Sequence, residues 1–569
     1  MGKHDKTVRE LVEDVEDNKI RLPEMQRSYV WKSTQVRDLV DSLYRKYPAG
    51  NILMWETSGS DVQTRDFAVS HKDTIHNFYY LLLDGQQRIT SLSKLIRGDS
   101  VKVRDHKSEI DIYFNMAHPD MVDELEVEYD EYTDEDETDE ADYNINETDA
   151  TSDSLDFSRL TFIVVNSKVK NNPNWVSVRE VLNSKDNISY LKRAEITDMN
   201  DPRFTKYGDR LNALRGIKDY VFHVITLDRN MSYEEVTEIF VRVNSAGTRL
   251  RGSDLALAQI TAKWRGSLAL FDDFQKECKD KGYELDISII VRALIVVITE
   301  QVKFKSVSLI SFEQYEGTWD KTKEALSFTL DYIKNTMHIA DLSLLTSPYF
   351  IVLLAYYFYK KDYSVSTEIS KKIMQWFVSA NAKGRYSRGS METLLDQDIR
   401  VCNPDRWIDN IRNLFGKLEI EESEFEGKLS NSGYYKDMFL IMKYFDAKDW
   451  ETNLGISLNN MNKKDKIESH HIIPQDLLKK ANYPKELIND IANLAFIGKQ
   501  TNGKISNTKP EIYLKEYLDK GKGVIPDMFK QHCIPTDITL YPIDKYPEFL
   551  KARRKLLVEL FNEYLNQFI

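Results

Sequence analysis

Four residues in the last quarter of the sequence have the types and spacing for phosphodiester hydrolysis. His470 and His471 are adjacent in Glu468-Ser469-His470-His471-Ile472-Ile473-Pro474. Asn493 follows in Ala492-Asn493-Leu494-Ala495-Phe496-Ile497, and Asn502 comes nine positions later in Thr501-Asn502-Gly503-Lys504. Cleaving a phosphodiester takes a base to activate water, a cation to neutralise charge on the phosphate and leaving oxygen, and something to hold the base in the right tautomer. A histidine for the base, a histidine and an asparagine oxygen for the cation, and a second asparagine to fix the backbone supply that set. Adjacent side chains on a regular strand point to opposite faces. At a turn or a distorted strand end they can serve two roles at one site. A His-His pair alone reads better as a surface or core pair without metal; the combined spacing is what points to hydrolysis.

A second set lies in the first hundred residues. Leu83-Asp84-Gly85-Gln86-Gln87-Arg88-Ile89-Thr90-Ser91-Leu92 reads as a strand, a glycine turn and a helix start. The positive end of a helix dipole favours an anion there. Arg88 adds a planar charged fork suited to phosphate. Asp84 suits a cation or a ribose hydroxyl, and Gln86 and Gln87 both donate and accept. The plainer alternative is a capped turn with Arg88 paired to a carboxylate. Upstream, Pro23-Glu24-Met25-Gln26-Arg27-Ser28-Tyr29-Val30-Trp31 sets aromatics beside Arg27. Gln26, Arg27, Tyr29 and Trp31 either complete a nucleotide pocket or face a modified base, since rings near arginine suit stacking and cation–π contact. Tyr29 and Trp31 also read as a core staple ahead of the next helix.

The elements that must position these residues follow from apolar periodicity. Ser33–Tyr44 reads as an amphipathic helix, Asn51–Trp55 as a short strand and Phe78–Leu83 as a buried strand. Ile110–Phe114 and Leu160–Val165 read as strands on either side of an acidic block, and Val221–Leu227 as another strand. Tyr233–Val243 reads as a helix leading to Asn244-Ser245-Ala246-Gly247. Helix-period segments then follow at Leu255–Phe274, Ile287–Glu300, Lys321–Asn335, Pro348–Tyr359 and Thr367–Phe377. The expected domains are 1–260, with an acidic insertion at 121–157, a helical middle region at 261–445 and a mixed segment at 446–569. No internal repeat of fixed period is seen.

Composition is that of a globular protein, and 569 residues exceed a single core. The net charge of −13 comes from one place: Asp123 to Asp156 holds 17 acidic and no basic residues, and the remainder, 78 basic against 74 acidic, carries +4. Overall acidity therefore does not argue against a nucleic-acid substrate. The acidic block reads as a solvated insertion, or as a flap that fills a DNA groove until substrate displaces it. Cys278, Cys402 and Cys533 are too dispersed for a disulfide framework or a paired-cysteine zinc site. No apolar run approaches a membrane span, Ile351–Phe358 being among the longest, and the expected location is the cytoplasm with no membrane partner.

The segment His470–Pro510 resembles the HNH, or ββα-metal, nuclease family. The resemblance implies a metal ligand at His470, the general base at His471, an asparagine orienting the base-bearing loop at Asn493 and a second metal ligand at Asn502. Lys504 lies close enough to help with phosphate charge. The implied cation is Mg²⁺ or Mn²⁺. The front motifs, with Phe240-Val241-Arg242-Val243-Asn244-Ser245-Ala246-Gly247, resemble the N-terminal domain of GmrSD-type modification-dependent restriction enzymes. That domain has a ParB/sulfiredoxin-like fold whose DGQQR motif is linked to nucleotide hydrolysis. The resemblance spans most of residues 1–260 and the family carries an HNH domain in the same order. It implies a GTP or ATP site at Asp84, Gly85, Gln86, Gln87, Arg88 and Thr90 with Gln26 and Arg27, and sensing of modified DNA by Tyr29, Trp31 and Asn244. No GxxxxGK[ST] loop exists, so any NTPase activity must come from this site.

The expected protein is an α+β multidomain chain: a ParB-like α/β front, a helical middle, and a ββα-metal nuclease set in a helical tail. Its expected function is an anti-phage restriction endonuclease acting on DNA, as a monomer or a homo-oligomer. Two alternatives are a ParB-like DNA-binding regulator that does not cut, and an RNA-directed HNH toxin.

Overall fold

The structure is a computed structural model. It describes residues 2–23, 31–57, 64–65, 78–103, 109–119, 159–165, 167–246, 252–387, 390–458, 466–520 and 528–568. Gln26, Arg27, Tyr29, Gly247 and the acidic insertion lie outside the described residues, as does the side chain of Asn244. The described residues fall in two compact units, the first extending to Ala269 and the second starting at Leu270. Both mix helices and strands.

In the first unit β1 (Gly2–Thr7), α1 (Val8–Glu16), β2 (Ile20–Pro23), α2 (Ser33–Tyr44), β3 (Ile52–Thr57), β4 (Thr64–Arg65), β5 (Tyr79–Asp84) and α3 (Gln86–Arg97) precede a small second sheet. With β9 (Val221–Leu227) the strands form a six-stranded sheet in the order β1-β9-β3-β5-β2-β4. Pairing is mixed: β3 runs parallel to β9 and antiparallel to β5, and β5 runs parallel to β2. The continuous apolar runs of β3 and β5 follow from burial of both faces. Alternation sends Ile52, Met54 and Leu82 to one face, against Val8, Leu11, Val36, Val40, Ile89 and Leu92 of α1, α2 and α3. Leu53, Trp55, Leu81 and Leu83 face the other way, against Val236, Phe240 and Ala258. The small sheet is β6 (Ile112–Asn115) between β7 (Phe162–Val164) and β8 (Trp175–Ser177). The strands flanking the acidic block are thus antiparallel partners, Phe114 opposite Phe162.

The second unit is mainly helical. The segment read as one helix over Leu255–Phe274 is two, Gly252–Lys263 in the first unit and Ser267–Asp280 across the boundary between the units. Gly266, at φ +83°, makes the break, since only glycine takes that conformation at no steric cost. The helical stretch and the tail, which the sequence separates at 445/446, belong to one unit. They share a core: Tyr435 and Phe439 of the helix Gly433–Tyr444 each lie 5.0 Å, ring to ring, from Phe496, and Phe425 lies 5.2 Å from Phe561. Gly433 is required where two helices meet, since a Cβ there would sit 2.0 Å from the carbonyl oxygen of Asn381. Among the described residues no helix is long and apolar enough to cross a membrane.

Candidate active site

The tail motif folds as two short antiparallel strands and a helix. β10 (Ile467–His471) pairs with β11 (Leu494–Gly498), His470 opposite Ala495 and His471 opposite Leu494. The helix Lys499–Ile505 follows Gly498 directly and carries Asn502. Alternation along β10 turns His470 inward, to 3% exposure, while His471 stays partly exposed.

His470 Nδ1 lies 2.7 Å from Asn502 Oδ1. The Asn502 amide nitrogen donates to Glu468 Oε2 at 2.9 Å, so the carboxylate on the same face of β10 turns the amide oxygen toward the imidazole. His470 Nε2 is buried with no hydrogen-bond partner. Burial pushes the His470 imidazole down to about 4, against the raising effect of the Asn502 contact. At neutral pH the ring is uncharged and one nitrogen keeps a lone pair. A small octahedral cation holds oxygen ligands at roughly 2.1 Å, which sets neighbouring ligands about 3 Å apart. The His470–Asn502 spacing fits that geometry in the tautomer that carries the ring proton on Nε2. Among the described residues no group of three or more His, Cys, Asp or Glu could hold a metal, so a cation here would keep several waters.

His471 sits in a different set of contacts. Its Nε2 is 3.1 Å from Asn489 Oδ1 and 2.9 Å from Gln475 Nε2, and Gln475 also donates to Asn489 Oδ1 at 3.0 Å. Asn489 Oδ1 can only accept and Gln475 Nε2 can only donate, so the two contacts call for opposite tautomers; in the one with the proton on Nε2, held by Asn489, Nδ1 is the basic nitrogen. Burial holds His471 below the ordinary histidine range, against the raising effect of Asn489. Asn493 is fully buried, and its side-chain hydrogen bonds go to backbone rather than to either imidazole. Its Oδ1 accepts from Ile473 N at 2.8 Å, and its Nδ2 donates to Ile473 O at 3.0 Å and Ile488 O at 3.1 Å. It ties down the loop that leaves His471. Lys504 is ion-paired with Glu451 on the surface.

Four residues of this region carry no motif signal. Glu468 and Asn489 orient Asn502 and His471, and Gln475 bridges Asn489 and His471. Asp449 grips the start of the Asn502 helix through Gly498 N (2.7 Å) and Thr501 Oγ1 (2.8 Å). Burial alone would raise the Asp449 carboxyl, but hydrogen bonds from Thr452, Gly498 and Thr501 outweigh it and hold it below its ordinary value. Such a partner, about fifty positions upstream, becomes visible only once the chain is folded.

In the first unit β5 ends at Asp84, Gly85 turns at φ +98° and α3 begins at Gln86. A side chain at Gly85 would also strike Ile52. The Arg88 fork is committed within the protein. It reaches Asp84 Oδ2 at 2.9 Å, Ala49 O at 2.6 Å and Asn51 O at 2.9 Å. Gly50, at φ +81°, lets that loop close over the guanidinium, where a Cβ would lie 2.5 Å from Nη1. Arg88 therefore pins the loop before β3 to the end of β5. Gln86 and Thr90 are buried, and Gln87 Oε1 accepts from Trp31 N at 3.3 Å. Trp31 packs against the core cluster to which α2 and α3 contribute.

Residues 8–261 match the family described as the GmrSD restriction endonuclease, N-terminal domain, and residues 419–560 match the GmrSD restriction endonucleases, C-terminal domain. An uncharacterized protein of Methanocaldococcus jannaschii is 23% identical over 628 aligned positions, which cover 99% of each chain.

Buried neutral histidines make stability depend on acid. His532, like His470, is pushed down to about 4 by burial. Their folded values lie below the ordinary value of about 6.5, so the unfolded chain takes up protons first. Their stabilising contribution is complete above about 6.5 and is lost as pH falls toward the folded values. Urea unfolding between pH 7.5 and 4.5 should show this loss, on the order of a few kcal/mol, and a His470→Gln/His532→Gln double variant should show a flatter pH profile.

Proposed function

Because this chain belongs to the GmrSD restriction endonucleases, we propose that its tail hydrolyses DNA phosphodiester bonds at the ββα site and that its front unit turns over a nucleoside triphosphate at the DGQQR turn. The observation that carries the first half is the pairing of His470 Nδ1 with Asn502 Oδ1 beside a separately held His471. His471 Nδ1 takes a proton from water, and the resulting hydroxide attacks phosphorus while the alkoxide oxygen leaves. Asn489 keeps the other ring proton in place, and Asn493 fixes the loop so that the imidazole does not drift. His470 and Asn502 would hold a divalent cation, Mg²⁺ or Mn²⁺, which when bound supplies charge neutralisation at the phosphate and leaving oxygen. Glu468 keeps the Asn502 amide oxygen turned toward that position.

For the front unit, the reading rests on the Gly85 turn at a helix start, where the dipole favours an anion, and on the half-exposed Asp84 carboxylate. Arg88 positions the loop at Ala49–Asn51 rather than offering its whole fork to phosphate. GTP or ATP is the expected substrate, and recognition of modified or foreign DNA is the expected trigger.

Plasmid cleavage with Mg²⁺ or Mn²⁺ should be blocked by EDTA and fall by roughly 10²–10⁴ in His471→Ala; equal cutting by the two proteins would remove His471 as base. Asp84→Ala should abolish GTP and ATP hydrolysis by the purified chain, with phosphate release as the readout. Unchanged turnover would take the DGQQR turn out of the mechanism.

A further inference from the structure

The strand bearing His471 runs through Pro474 into the short helix Gln475–Lys480. Gln475 opens that helix and touches the His471 ring. Lys479 is one turn further along, and residues four apart share a helix face. Lys479 and Lys480 are exposed, and Lys485 is exposed at the start of the next helix, Lys485–Ile488, which packs against the first. None of the three forms an ion pair with a described residue, whereas Lys504 is paired with Glu451 and Lys499 with Glu468. Of the nearby carboxylates, Asp476 accepts from Asn507 at 2.8 Å and Glu486 is exposed. Three lysines against these two carboxylates leave the surface on the base's side of the site with a small net positive charge, although the chain as a whole is acidic.

We infer that Lys479, with Lys480 and Lys485, is a seat for nucleic-acid backbone phosphates that holds the strand alongside His471. This rests on the nuclease reading of the same site and adds the surface that receives the substrate. Lysine ammonium groups suit the role because they bind phosphate as point charges and read no sequence. The seat would contribute through counterion release, which falls with salt.

The test is binding of a fluorescently labelled DNA duplex to the full-length protein in EDTA, across a range of salt concentrations. The probe is followed by anisotropy, with cleavage of the same duplex in Mg²⁺ measured in parallel. Lys479→Ala/Lys480→Ala should reduce the slope of log affinity against log salt by about two and weaken binding severalfold or more at low salt. Lys479→Arg/Lys480→Arg should keep the wild-type slope. A double-alanine variant that melts like wild type yet binds with the full slope overturns the seat, even if wild type cuts normally. Wild type that binds with the lysine-dependent slope but never cuts overturns the nuclease reading and leaves the seat standing.

Discussion

One buried carboxamide holds the loop that follows His470 and His471. Two five-residue strands make a ribbon too small to be stable unaided, and the chain leaves β10 straight into a loop whose backbone is buried. Asn493 satisfies that backbone at both Ile473 groups and at Ile488. Tyr513 donates to Ile472 O at 2.5 Å, and the buried Arg553 donates to Ala492 O at 2.8 Å. A buried peptide group left unpaired costs about 1–3 kcal/mol, so these contacts act as one network that is stable only when complete. The positions of His470 and His471 follow from it. The site can then keep one imidazole deep and neutral and the other at its edge, each with its own asparagine.

The same economy of fixed contacts explains the front turn. Arg88 has five donors and directs three hydrogen bonds inward, to a carboxylate and two carbonyls. A lysine could not span those acceptors, because it lacks the planar fork. The arginine of the motif is therefore a scaffold for the Ala49–Asn51 loop, and the chemistry proposed there falls to the turn and to Asp84.

Local patterns were legible and long-range partnerships were not. Ser33–Tyr44 and Val221–Leu227 fall where the apolar periodicity places them, because one buried face dictates such spacing. The His-His, Asn and Asn spacing led to residues that fold into one strand–strand–helix segment. It could not tell that Asn489 and Gln475 surround His471, since neither stands in a recognisable motif. Lys504 looked suited to phosphate because it is two residues from Asn502, but Glu451, more than fifty positions upstream, pairs with it. Lys479 carries the freer charge. Gln26, Arg27, Tyr29 and the acidic insertion lie outside the described residues, and their roles remain expectations of the sequence.

The central claim is that an imidazole nitrogen and an amide oxygen, 2.7 Å apart, are the two protein ligands of a catalytic cation. The most direct measurement is anomalous diffraction from crystals of the full chain soaked in Mn²⁺. The account predicts one strong peak within bonding distance of both His470 Nδ1 and Asn502 Oδ1. Saturating Mn²⁺ with no peak there, while His470 stays bonded to Asn502 alone, would contradict it.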